Sequence, residues 1–211
     1  MSSKSNAFFH YHLDVPGSSS QLAIETIGEY TILRLISNDG TNRLTLARTL
    51  AVAYAIEKLH VKPLIITGNN RFFSAGADLN EISQLTGPAA YDFALKGQRL
   101  MNAISRFPVP VIAAISGYCM GGGLDLALAC HLRIASPNAI FGHRGAALGI
   151  MTGWGGTQRL PHLIGKSRAL QMFLAAEKLH AQQALDCGLV DRIAGDSIQA
   201  AITILDSGDL H

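Results

Sequence analysis

The apolar stretch at residues 109–130, VPVIAAISGYCMGGGLDLALAC, limits what this chain can fold into more than any other segment. It is long enough to cross a bilayer, but Pro110, Gly117, the consecutive glycines 121–123 and Asp125 interrupt it, and a lipid-facing helix does not carry such a set. It reads instead as a strand over 111–115, a turn, and a buried helix opened by the glycines and running to Cys130. A strand and a helix that are apolar on every side must be covered on every side, which calls for a layered α/β fold.

The flanking segments supply the layers. Residues 22–24 and 30–35 are short apolar runs around Gly28-Glu29 and predict an opening hairpin. Thr45 can cap a helix in which Leu46, Leu50, Ala53 and Tyr54 recur at helical spacing. Residues 64–67 predict a buried strand after Pro63. A short helix to Leu85 is broken at Gly87-Pro88. The helix that follows runs to about Arg106 and places Phe93, Gly97, Leu100 and Ile104 on one side. Short strands are expected at 132–135 and 140–141, and a helical pattern from Trp154 onward, including one short helix at 198–205. The domain reading is a polar tail over 1–20, one core domain over 21–195, and a short C-terminal helix or tail over 196–211. No internal repeat is present.

Charge narrows the partners. Of 211 residues, 17 are Lys or Arg and 15 are Asp or Glu, for a formal charge of +2, too small to attract nucleic acid or membrane in bulk. An anionic ligand must therefore be met locally. Cys119, Cys130 and Cys187 form no C-x-x-C pair and lie in apolar surroundings, so free thiols in a reducing compartment are expected. The first twenty residues lack the pattern of a secretory leader, and a cytoplasmic protein is expected. His10 and His12 form an H-x-H pair without further ligands, so no metal site is assigned.

Two strand-to-helix turns carry the chemistry, one at 74–78 and one at 121–123. Neither is a phosphate loop: G-x-x-x-x-G-K-[ST] is absent, and no G-x-G-x-x-G lies between a strand and a helix. Both turns can present free backbone N–H groups at a helix start, and two such groups aimed at one point make an oxyanion hole. Asp125, one helical turn beyond Gly122, can face the space in front of that point. An aspartate on an apolar helix is costly to bury without a role, so it is the candidate acid or base.

The block 112–132, IAAISGYCMGGGLDLALACHL, resembles the signature of the crotonase (enoyl-CoA hydratase/isomerase) superfamily along its length. So does FFSAGADL at 72–79, and GWGGTQRL at 153–160 looks like the stretch that follows the active site. The resemblance runs in collinear order from about residue 22 to about residue 198. It implies a spiral of repeated β-β-α turns with surrounding helices, and a homotrimer or hexamer. It also implies that Ala77 and Gly122 donate their N–H groups to a thioester oxygen, with Ser74, Ala75, Gly76, Asp78, Gly121 and Gly145 around the substrate. The implied substrate is an acyl-CoA or a carrier-linked acyl group, with coenzyme A entering as part of the substrate and no separate cofactor or metal.

The chain departs from the family pattern in two places. Gly145 stands where hydratases of the family typically carry a second glutamate, and glycine can neither hold water nor deliver a proton. His143 and Arg144 flank it; His143 is the candidate second proton carrier and Arg144 a candidate for holding an anion, each weighed against a side chain that simply points outward. The family's further C-terminal helices are also expected to be shortened here. With one candidate acid, a proton shift along the acyl chain is easier to support than water addition. Thioester decarboxylation and non-catalytic acyl-CoA binding stand as alternatives.

Overall fold

The structure, a computed structural model, describes residues 9–10, 22–59 and 61–209. The side chains of the H-x-H pair and most of the N-terminal tail lie outside the described residues. Phe9–His10 (β1) pairs antiparallel with Leu22–Ile27 (β2), which forms the expected hairpin with Tyr30–Leu35 (β3). Leu64–Thr67 (β4), Val111–Ile115 (β6), Leu132–Ala135 (β8) and Arg192–Ile193 (β11) then add in parallel, giving a seven-stranded sheet in the order β1-β2-β3-β4-β6-β8-β11. Every residue of β4 and β6 is buried, as continuous apolar runs covered on both faces must be.

A second sheet crosses behind the first. Phe72–Ser74 (β5), Tyr118–Met120 (β7) and Ile140–Gly142 (β9) run parallel, and Lys178–His180 (β10) joins antiparallel, in the order β10-β9-β7-β5. Each of β5, β7 and β9 follows directly on a strand of the large sheet, so β4-β5, β6-β7 and β8-β9 are successive turns of one spiral. The sequence reading missed β5, β7, β10 and β11. At two or three residues each, they are too short to show a period of two.

Helices close each turn. Thr45 caps α1 (Leu46–Lys58) as expected, its side chain accepting from the Arg48 N–H. The buried face is not the expected one, however: Ala51, Val52, Ala55 and Ile56 face inward, whereas Leu50 and Tyr54 are exposed. Alanines bring the helix close to its neighbour α3 (Gly87–Ser105), and the larger apolar residues are left outside. Gly87-Pro88 separates α2 (Leu79–Ser83) from α3, but it also begins α3, with Pro88 in the first turn where its missing N–H costs nothing. The remaining helices are α4 (Gly122–Ala129), α5 (Gly156–Ile164), α6 (Lys166–Leu174), α7 (Ala181–Asp186) and α8 (Ser197–Ser207). The main core fills the space between the sheets and α1, α3 and α4. A smaller core of Ile32, Ile65, Ile112, Ala114 and Ile134 is covered by Ala201 and Ile204 of α8 on the far face of the large sheet. Among the described residues, no helix is long and apolar enough to cross a membrane.

Candidate active site

The three parallel strands of the small sheet end side by side, and each delivers one part of the site. Beyond β5, the chain turns at Gly76 with φ +96°, a conformation that favours glycine, and a Cβ there would lie 2.6 Å from the Met120 carbonyl. Ser74 fixes this turn: its hydroxyl donates to the Asn42 carbonyl at 2.7 Å and accepts from the Gly76 N–H at 3.1 Å. Beyond β7, Gly121 begins α4 and donates to the Gly142 carbonyl at the end of β9 at 2.8 Å. The two turns come together closely enough that a Cβ on Gly76 would sit 3.2 Å from the Gly122 nitrogen, and a Cβ on Gly122 would sit 3.2 Å from the Ala77 nitrogen. Among the described residues, no hydrogen bond takes up the N–H of Ala77 or of Gly122.

These two groups open on a cavity of about 350 Å³. Ala75, Gly76, Ala77, Gly121, Gly122, Asp125, His143, Arg144 and Gly145 all line it. Ser74 and Asp78, also expected at the substrate, do not line it. Ser74 is spent on the Gly76 turn, and Asp78 caps α2, accepting from the N–H groups of Asn80 and Glu81 while Arg43 approaches at 3.4 Å. Neither role is visible without the tertiary turn. The apolar remainder of the lining includes Leu79, Ile82, Phe93, Ile150, Met151 and Trp154. Trp154 packs on Phe93 with ring centroids 5.2 Å apart and lies so close over Gly122 that a Cβ there would meet its ring at 2.6 Å.

Asp125 is 1% exposed and is the one carboxylate among the described lining residues. Its Oδ2 accepts from the Thr152 hydroxyl, and its Oδ1 lies 3.3 Å from His143 Nε2. Burial pushes the Asp125 carboxyl up to about 7, against the opposing pull of Thr152, the Arg159 charge and the Gly156 N–H. Burial also pushes His143 down to about 4. His143 is 3% exposed and stacks against Phe173 at 5.1 Å, so the outward-pointing alternative weighed for it is overturned. Arg144, by contrast, is exposed. Oδ1 and Nε2 are both buried and lack any other hydrogen-bond partner. A single proton carried on Oδ1 and shared with Nε2 would serve both atoms, and an acid near 7 beside an imidazole near 4 holds one proton in just that form below neutrality.

Thr152, Gly156 and Phe173 were not anticipated. Gly156 matters because its bare Cα faces the junction: a Cβ there would fall inside contact distance of Asp125 Oδ1 and 2.9 Å from His143 Nε2. GWGGTQRL at 153–160 marked the neighbourhood, but which of its residues meets Asp125 depends on how the segment before α5 folds back over α4. Among the described residues, no group of three His, Cys, Asp or Glu side chains could hold a metal.

A spiral of β-β-α turns with paired N–H groups over an apolar cavity defines the crotonase class of fold and site. The chain belongs to the enoyl-CoA hydratase/isomerase family, whose model matches residues 41–201. A Bacillus subtilis (strain 168) protein named "Probable enoyl-CoA hydratase" is 46% identical over 140 residues, 66% of this chain and 54% of that protein. The match thus spans about half the length of this curated relative. Among solved structures, DspI of Pseudomonas aeruginosa superposes with a TM-score of 0.86 at 32% identity, covering 93% of this chain and 83% of its own. An enoyl-CoA hydratase from Thermoplasma volcanium superposes at 0.85 with 34% identity, covering 92% and 79%.

Proposed function

We propose that the protein binds an acyl thioester of coenzyme A, or of a carrier pantetheine, and shifts a proton along the acyl chain. The observation that carries this reading is the pair of untaken N–H groups at Ala77 and Gly122 over a cavity whose one described carboxylate, Asp125, faces His143. The thioester oxygen accepts from both N–H groups. The ionised Asp125 Oδ1 takes a proton from the acyl carbon; the electron pair of the broken C–H bond moves into an enolate, whose oxygen the two donors stabilise. The proton on Oδ1, steadied by His143 Nε2, is returned to a different carbon of the same chain, and the double bond moves with it. Water addition needs a further group to hold the water, and Gly145 offers none.

The test is deuterium incorporation into butyryl-CoA and 3-enoyl-CoA thioesters in heavy water, with calorimetric binding of the same thioesters measured alongside. Exchange that rises with pH through about 7 is expected, following ionisation of Asp125. Absence of exchange with binding intact would overturn the proton shift in favour of decarboxylation or binding alone, and absence of binding would remove the thioester reading altogether.

Restoring a carboxylate at Gly145 is not expected to create a hydratase. Its φ is not in the left-handed region, so the backbone itself would accept a side chain, but a Cβ there would lie 2.5 Å from the Ile150 carbonyl. Gly145→Glu should lose roughly 1–3 kcal/mol of stability through overpacking. Its hydration of crotonyl-CoA should stay at the native level, which a spectrophotometric assay reads directly.

A further inference from the structure

Thr152 lies between the 3-10 turn at Gly145–Leu148 and α5, in a stretch whose neighbours Met151 and Gly153 are exposed at the cavity mouth. Its hydroxyl nevertheless reaches inward and donates to Asp125 Oδ2. The backbone just beyond it is anchored from both sides. Gln98 Nε2 of α3 donates to the Gly153 carbonyl at 2.7 Å, and Arg159 Nη1 of α5 donates to the Trp154 carbonyl at 3.2 Å. Arg159 is itself held by Asn102 Oδ1 at 2.8 Å, so the threonine is carried on a braced segment.

We propose that Thr152 is a positioning residue that holds Oδ2 of Asp125, leaving Oδ1 as the oxygen that takes and releases the proton beside His143. A carboxyl with both oxygens equivalent can protonate on either and rotate about its Cβ–Cγ bond. A hydroxyl donating to one oxygen removes that freedom, since the acceptor oxygen cannot carry a proton without reversing the bond. The same bond favours the ionised form and holds the proton affinity of Asp125 below what burial alone would set. Besides Thr152, the groups that act on this carboxyl are His143 at the end of β9, Arg159 of α5 and the buried thiol of Cys119 in β7. Only the threonine bonds Oδ2. The proposal rests on Asp125 as the proton carrier of the proposed function.

Thr152→Val keeps the shape and removes the hydroxyl, Thr152→Ser keeps the hydroxyl, and Thr152→Ala serves if the valine does not fold. The Asp125 carboxyl is titrated by carbon NMR on protein labelled at the aspartate carboxyl carbon, its signal assigned by its absence from Asp125→Asn. The valine variant should titrate about one pH unit or more above the native protein, and the serine variant within a few tenths of it. The pH limb of α-proton exchange should move by the same amount, with KM for the thioester changed less than about twofold. A titration midpoint in the valine or alanine variant equal to the native one would overturn the proposal. A shifted midpoint without exchange in any variant would refute the proposed function while upholding the hold of Thr152 on Asp125.

Discussion

Asp125→Asn should lose at least about a hundredfold in α-proton exchange and at the same time make the protein harder to melt at pH 8. The loss follows from removing the proton carrier. The gain follows from linkage: the folded-state pKa of about 7 lies above the ordinary value of 3.8, so protonation favours the fold. This contribution is fully present below pH 3.8, declines as pH rises, and is gone above about 7, where the native fold carries an ionised carboxylate that burial disfavours. Asparagine stays neutral throughout. Its oxygen can accept from Thr152, and its amide can donate to His143 Nε2, giving that buried nitrogen the partner it lacks. The difference is on the order of a few kcal/mol, or roughly 5–10 °C in Tm for a chain of this size. His143 titrates in the opposite sense, contributing stability above 6.5 that is lost as pH falls through about 4. Melting curves of both proteins at pH 8 and pH 4 should therefore separate at the higher pH and converge at the lower. Equal Tm at pH 8 would show that the buried carboxylate carries no such cost.

Gly156→Ala should be nearly as damaging to turnover and, unlike Asp125→Asn, should also destabilise. Gly156 is the first residue of α5 and its φ is not left-handed, so alanine suits the backbone. The conflict is steric: the added methyl group falls on Asp125 Oδ1, with His143 Nε2 at 2.9 Å and Thr152 Cγ2 at 3.0 Å. All three groups belong to separate, packed segments, so none can move without disturbing another. A cost of about 1–3 kcal/mol is expected from overpacking, together with at least a hundredfold slower exchange as Asp125 is turned from the cavity. Exchange near the native rate in this variant would mean that the junction of Asp125, His143 and Thr152 is not where the proton moves.

The contrast between these residues shows what the sequence could and could not reveal. Long buried runs such as 111–115 and the Thr45 cap were legible because their signals are local: a continuous apolar strand, and a hydroxyl before a helical run. Ala77, Gly122 and Asp125 were legible because two glycine-bearing turns and an acid one helical turn on form a distinctive pattern. The buried face of α1 was not legible, since apolar residues ring that helix and only packing against α3 selects the alanines. Ser74 and Asp78 sit inside a recognisable motif yet serve the turn and the α2 cap, because a motif marks a place without saying which way each side chain turns. Thr152 and Gly156 lie about thirty residues from Asp125 in the chain. Nothing local announces their meeting with it.

The small sheet gives the site a fixed pitch. Parallel neighbours lie about 4.8 Å apart, and β5, β7 and β9 end in the Gly76 turn, the Gly121 turn and His143 in that order. The Gly121 N–H locks the second turn to the end of the third strand. Recognition of the carbonyl thus depends on backbone laid down by the first two strands, and the proton-handling side chains hang from the third. A lineage can exchange what the third strand carries, a glutamate for a glycine or a glutamine for a histidine, without shifting the two donors. Chemistry in such a scaffold can drift while the grip on the thioester stays inherited.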